Sequence, residues 1–497
     1  MGWQEDHIKE RIVPKLPDVT DLPEIAYLTF FAGLHAAYTE PEYNPRDEDI
    51  IPFFTQIAHI LLKHATRHSP LQTTLRSFFA DVPYGFATAT ILGMPVPYQI
   101  ENERRYSHAW LCAHSEAGKT TLLKNLIAQD LEDVKARKAS VVVIDSQGRN
   151  ELIGQIEKWG ILDELDYKLI DTTVPMNPFV MGRDRAISPR EREILQTNAI
   201  DTISYVFSSA LGDGGNFTAK QRTLFDNCVQ LLLTFPSTIV DLLALMQSKG
   251  LDRYRVHIPK LSPPAQVFFN TSFDTKTYMD TKTEISWRLD GILKNPAFAR
   301  MFTTRDSFDF YRELGKPQLL LVDTDKALLG GQGTEIFGRY VIAQILSAIQ
   351  QRANTTYRLP TYVYIDEAHD YIANDENIAT IIDQARKMRV GFTFSHQRET
   401  QIRNGNVLDA LRHCAIQFKP IEDEKRRYHF DLTVRGKTPV DVYSPLVDRP
   451  RRAPPKQYPR LTVAPPLEGE IVPPNRPTSQ DNRALPFPKK WDKDEME

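Results

Sequence analysis

The chain has almost no cysteine: three in 497 residues, at Cys112, Cys228 and Cys414. They are odd in number and far apart, so they offer neither a disulfide framework nor a zinc-ligand spacing, and a reducing compartment is expected. Long apolar runs are missing too. The most apolar N-terminal stretch, Ile25 to Ala37, contains Thr29 and His35 and falls short of the roughly 20 residues that cross a bilayer. Residues 1–17 mix Glu5, Asp6, Lys9, Glu10, Arg11 and Lys15 without an apolar segment, which argues against a secretory leader. Neither sign of charge is in excess: 61 Lys and Arg against 64 Asp and Glu leave a formal −3. Any nucleic-acid contact must therefore come from local clusters. A cytoplasmic chain is expected.

What is present is ordinary globular material, 41% hydrophobic and 25% charged, enough for about three domains. Residues 1–95 read as an α-rich head, with Ile25, Leu28, Phe31 and Leu34, then Ile57, Ile60 and Leu61, then Leu75, Phe78 and Phe79 at helical spacing. Pro95 and Pro97 close it. From there to about Pro420, short apolar runs alternate with longer amphipathic ones, the pattern of a parallel sheet covered by helices. The expected strands are Trp110 to Ala113, Ser140 to Asp145, Gln318 to Asp323, Thr361 to Asp366 and Gly391 to His396. They are continuous rather than alternating in hydropathy, as strands buried on both faces are. Residues 175–315 carry helical signals, including Thr223 to Leu233, Ile239 to Met246 and Thr283 to Leu293. They read as an all-helical domain inserted into an α/β core at 96–174 and 316–438. Residues 439–497 hold 13 of the 34 prolines and read as an extended tail. Its basic run, Arg449 to Arg460, is either a solvated linker or a phosphate-gripping arm.

Three segments carry chemistry. The first is Ala113-His114-Ser115-Glu116-Ala117-Gly118-Lys119-Thr120-Thr121, between an expected strand and an expected helix. Such a turn aims backbone N–H groups and a helix N-terminus at an anion, Gly118 permits close approach, and Lys119 reaches β- and γ-phosphates. Thr120 is placed for Mg²⁺. The second is Tyr362-Val363-Tyr364-Ile365-Asp366-Glu367, where Asp366 is suited to Mg²⁺ and Glu367 to general-base work on water. The competing reading is a pair of helix-N-terminal acids. The third is the run from Ala385 to Gln397: Gln397 ends a strand where it can sense a γ-phosphate, and Arg386 either neutralises transition-state charge or merely caps a helix. Gly212 to Gly215 and Gly330 to Gly333 lack the lysine and strand context of an anion loop. His64, His68 and His369 show no metal spacing and read as surface or packing residues.

Together with Tyr106-Ser107-His108 and the strand ending Asp145-Ser146-Gln147-Gly148, these motifs resemble the HerA/FtsK class of DNA-pumping ATPases, nearest the coupling ATPases of type IV secretion and conjugation. The resemblance covers residues 96–420. It implies a RecA-like P-loop sheet interrupted by a helical insertion, ATP and Mg²⁺ as cofactors, DNA as cargo, and a homo-oligomer, a hexamer by analogy. It also implies secretion or relaxase proteins as partners, and either a soluble version of the motor or one recruited to the inner face of the membrane. It assigns Lys119, Thr120, Asp366, Glu367 and Gln397 to one site, with Arg386 supplied in trans, and leaves the role of Asp145 less defined. The family's Thr-Gly-Ser-Gly loop is here Ser115-Glu116-Ala117-Gly118, which places turnover in question more than binding. Motors for protein secretion or genome packaging share the fold, and a nucleotide-binding scaffold with weak hydrolysis is the rival motivated by Ala113 and Glu116.

Overall fold

The computed structural model describes residues 2–22, 24–40, 46–65, 71–82, 84–94, 100–149, 151–180, 189–211, 217–351, 358–373, 385–421, 428–437 and 439–444. His68, Pro95, Pro97, the Gly212 to Gly215 loop, the basic run Arg449 to Arg460 and the rest of the tail after Ser444 lie outside them.

All five strands expected from the sequence are present, with ends shifted by at most one residue: β1 (Ala109–Cys112), β2 (Ser140–Asp145), β4 (Leu319–Asp323), β5 (Thr361–Ile365) and β6 (Val390–His396). Four more extend the sheet: β3 (Tyr167–Ile170), β7 (Ile416–Pro420), β8 (His429–Val434) and β9 (Val440–Tyr443). The order is β3-β4-β2-β5-β6-β1-β7-β8-β9. β1 to β7 run parallel, whereas β8 and β9 return antiparallel. β9 lies where the sequence places the tail, so the sheet continues past residue 439.

The continuous hydropathy of β2, β4, β5 and β6 has the expected consequence. Every residue of these strands is buried, because helices cover both faces. On one face the helix Lys119–Lys135 joins Leu111, Val141, Val143 and Leu321 in a single apolar cluster. On the other, Trp110, Val142, Ile144, Val363 and Phe394 share a cluster with residues of the helices Pro189–Leu211, Ala219–Leu232, Ile239–Met246 and Lys276–Leu293. These helices therefore share one continuous core with the sheet, to which the helix Lys326–Gln351 also contributes.

The head has an apolar cluster of its own, made by the helices Glu24–Thr39, Asp47–Ala65, Leu71–Phe78 and Gly85–Leu92. Its first long helix buries Ala26, Phe30, Leu34 and Ala37 and leaves Leu28 58% exposed. The buried stripe thus shares Leu34 with the one the sequence suggests but turns Leu28 to solvent. Among the described residues, no helix is long and apolar enough to cross a membrane.

For function, the decisive feature is that β5, β6 and β1 are adjacent and parallel. Their C-terminal ends open onto one edge, and the turns leaving the three strands meet there.

Candidate functional site

The turn after β1 begins with Ala113, which is buried and donates its N–H to the carbonyl of His396 at 3.1 Å. That bond ties the loop to the end of β6. Ala113 is not among the residues with positive φ, so alanine serves in place of glycine without strain. His114, Ser115 and Glu116 are exposed. Glu116 takes a left-handed φ of 72°, a conformation costly for any residue with a Cβ, at the position where the resembling family carries glycine. Gly118 has φ 96° and precedes the helix Lys119–Lys135, so a side chain there would be strained whatever the space. It would also collide: a Cβ on Gly118 would lie 2.3 Å from Cδ1 of Tyr428. Thr120 is half-buried and Thr121 buried.

Lys119 opens that helix, and its buried ammonium reaches across the sheet edge. Nζ donates to Asp366 Oδ1 at 2.5 Å and to Glu367 Oε1 at 2.7 Å. Burial pulls the lysine's pKa down, but the charges of Asp366 and Glu367 outweigh it and raise it above its ordinary value. Asp366 Oδ1 also accepts from Ser395 Oγ at 2.9 Å and from the Glu367 amide at 2.9 Å. Glu367 sits at φ 46°, a strained turn that sets its carboxylate beside that of Asp366. Its Oε1 accepts from Gln397 Nε2 at 3.1 Å. Burial opposes the charge on Glu367, but the His369 ring, Lys119 and Gln397 overcome it, and the carboxyl is held down at about 2.

Further acids close the edge. Asp145, at the end of β2, is fully buried; its Oδ1 accepts from the Gln147 amide, and its Oδ2 has no partner. Burial, reinforced by the charge of Asp366, pushes it up to about 7. Asp323, ending β4, rises to about 6, chiefly through burial. No three His, Cys, Asp or Glu side chains among the described residues are arranged to hold a metal by themselves.

Lys119, Asp366, Glu367 and Gln397 are thus brought together by hydrogen bonds, and Thr120 follows Lys119 on the same helix end. Arg386 is not with them. It is exposed and precedes the N-terminal end of β6, while Gln397 follows the other end. Seven residues of strand separate them, about 20 Å at the usual rise. Within one chain it does not enter this site.

Sequence reasoning passed over Ser395, whose hydroxyl faces Asp366; the signal was a polar residue inside an otherwise apolar strand. It also passed over His369, read as a surface or packing residue. The structure sets His369 beside Glu367, Nδ1 to Oε2 at 3.3 Å, with Nε2 at 3.2 Å from Gln401 Nε2. The string Asp366 to His369 suffices to suggest it, since a turn after a strand returns residue i+2 towards residue i. Behind the site, Trp110 Nε1 donates to His396 Nε2 at 2.8 Å, and His396 Nδ1 lies 3.0 Å from the Arg398 carbonyl. The indole requires an unprotonated Nε2, and burial pulls the ring's pKa down to about 4.

No protein-family model and no curated protein matches the chain. Solved structures do. The bacterial conjugative coupling protein TrwB lacking its N-terminal segment, in its trigonal form with sulphate, superimposes with a TM-score of 0.53 at 12% identity, covering 73% of this chain and 90% of that one. The fold is that of a conjugative coupling protein. TrwB with ADP and Mg²⁺ gives a TM-score of 0.53 at 11% identity, over 72% of this chain and 90% of that one. TrwB with a non-hydrolysable ATP analogue gives 0.52 at 10% identity, over 73% and 90%. At such identities the likeness is one of fold: a RecA-like P-loop sheet with helices on both faces.

Proposed function

We propose that this chain is a P-loop ATPase that moves DNA, a motor of the conjugative-coupling type. The observation that carries the reading is the meeting of Lys119 with Asp366 and Glu367, 247 and 248 residues apart in sequence, at the strand edge where open α/β sheets bind ligands. The residues fit a Mg-bound nucleoside triphosphate. Gly118 supplies the left-handed turn before a helix N-terminus, where anions are favoured. Lys119 provides the cation, and Thr120 and Asp366 would hold Mg²⁺, which would supply charge neutralisation for the phosphates.

In this reading the two acids keep Lys119 charged and extended until phosphate oxygens replace them as its partners. Released from the lysine, Glu367 stays ionised and can accept a proton from water. Gln397 Nε2, now on Glu367 Oε1, is the group nearest to hand for orienting that water or a γ-phosphate oxygen. Ser395 fixes Asp366 from below. Arg386 would act on a neighbouring subunit's site, which calls for a homo-oligomer, with a hexamer as the specific form. DNA as cargo, and secretion or relaxase proteins as partners, come from the likeness to coupling proteins.

The test is ATP turnover with and without DNA, for the parent and for Glu367→Gln. DNA-stimulated hydrolysis that Glu367→Gln abolishes, with nucleotide binding retained, is expected. A parent as slow as the variant would replace the motor with a nucleotide-binding scaffold, a reading favoured by Glu116 at φ 72° in a loop that must wrap phosphates.

A further inference from the structure

The general base of the proposed ATPase has two carboxylate oxygens, and Lys119 and Gln397 account for only one. Glu367 Oε2 is shut off from solvent and has no regular hydrogen bond; His369 Nδ1 is shut off likewise. The two face each other at 3.3 Å.

The proton between them can be assigned from the far side of the ring. Gln401 Oε1 accepts from two backbone amides, Gln397 at 3.0 Å and Arg398 at 2.9 Å. That fixes its side-chain amide, because only the oxygen can accept. Its Nε2 is therefore the atom turned to His369 Nε2, at 3.2 Å, and it can only donate. His369 Nε2 must accept, and in a neutral ring the hydrogen then sits on Nδ1, on the side of Glu367 Oε2. Asp370 Oδ1 lies 3.5 Å from His369 Nε2, beyond hydrogen-bond reach. It is already engaged by Lys326 Nζ at 2.5 Å, while Ser146 Oγ holds Oδ2 at 2.7 Å.

We infer that His369 and Gln401 are positioning residues for hydrolysis: they form a relay that locks the carboxylate plane of Glu367 to the turn carrying Gln397. The inference rests on the ATPase reading above. The circuit closes on itself, because Gln397 donates its side chain to Glu367 Oε1 and its amide to Gln401. Base and γ-phosphate-facing glutamine thus move as one unit. When phosphates draw Lys119 away from Glu367, the contact through His369 remains to keep the base in place. A misplaced base costs rate without costing nucleotide affinity, which separates this role from a structural one.

The experiment measures kcat, nucleotide Kd with a fluorescent ADP analogue, and melting temperature for four variants. His369→Ala is expected to lower kcat at least tenfold, with Kd within about twofold. His369→Asn, whose amide can donate from the place of Nδ1, recovers most of the rate; His369→Gln, which reaches Gln401 but not Glu367, does not. Gln401→Glu keeps the acceptor for both amides and withdraws the N–H to His369, so it lowers kcat with little change in melting temperature, and it answers the question should His369→Ala not fold. Parental kcat in Gln401→Glu, or equal rates for the Asn and Gln variants of His369, overturns the relay while Glu367→Gln still abolishes turnover. Parental turnover no higher than that of Glu367→Gln overturns the ATPase reading, and the relay with it.

Discussion

Two cations are held by buried acids in this molecule, half-buried Arg105 and buried Lys119, and their surroundings differ. Beneath the sheet, Arg105 donates to Asp130 through both ends of its guanidinium, at 2.6 and 2.5 Å. It also lies 3.7 Å over the ring of Tyr362, and the Tyr364 hydroxyl completes Asp130 at 2.5 Å. At the strand edge, Lys119 bridges Asp366 and Glu367, yet Glu367 Oε2, His369 Nδ1 and Asp145 Oδ2 lack regular partners. The first cluster is saturated and the second is not. A pair with both carboxylate oxygens engaged holds structure; a buried cluster at a strand edge whose acids keep one long contact to a histidine and one unpartnered oxygen is arranged for something that arrives.

The comparison is broken most directly at the saturated pair. Asp130→Ala leaves the half-buried Arg105 guanidinium without its carboxylate, and should cost about 1–3 kcal/mol in chemical denaturation. Nucleotide affinity of the remaining folded protein should be unchanged. At the other cluster the order reverses: Lys119→Ala should remove stabilisation by Mg-ATP. The parent should gain about 2.7 kcal/mol at a nucleotide concentration of 100 Kd, read as a rise in melting temperature that the variant lacks. If Asp130→Ala abolished nucleotide binding while Lys119→Ala spared it, the distinction would fail.

A subtler contrast concerns pH. His396 is neutral when folded, with its pKa lowered from 6.5 to about 4 by burial. Below 6.5 the unfolded chain takes up a proton that the folded one refuses, so this contribution is complete above 6.5 and is lost as pH falls towards 4. Stability measured across that window should decline in the parent and decline less in His396→Gln, while Trp110 fluorescence reports the broken hydrogen bond. The smallest expected effect is at the loop: Glu116→Gly should relieve about 1 kcal/mol of left-handed strain and tighten nucleotide binding. Weaker binding instead would mean that Glu116 has a task of its own.

The sequence made the centre of the sheet legible because strands buried on both faces are written in continuous apolar residues, as Val141, Val142 and Val143 show. It obscured the flanks. β7 and β8 alternate in hydropathy, with Phe430, Leu432 and Val434 turned inward, and β3 and β9 have only four residues each. Beside a proline-rich stretch, such short signals look like linker. The site divides in the same way. Lys119, Asp366 and Glu367 announce themselves because each ends a strand or starts a helix. Gln401 does not, since its contact with His369 spans 32 residues and depends on a short turn after β6.

The insertion also sets a limit on how this molecule can be divided. The helices between β3 and β4 share one apolar cluster with the sheet residues Trp110, Val142, Ile144, Val363 and Phe394 and with the helix Lys326–Gln351, so they do not lift out cleanly as a cassette. Cutting them out would bare the apolar surface they now cover and leave a sticky remnant. A rotation of those helices would press on the sheet through that shared cluster, as a handle moves its blade.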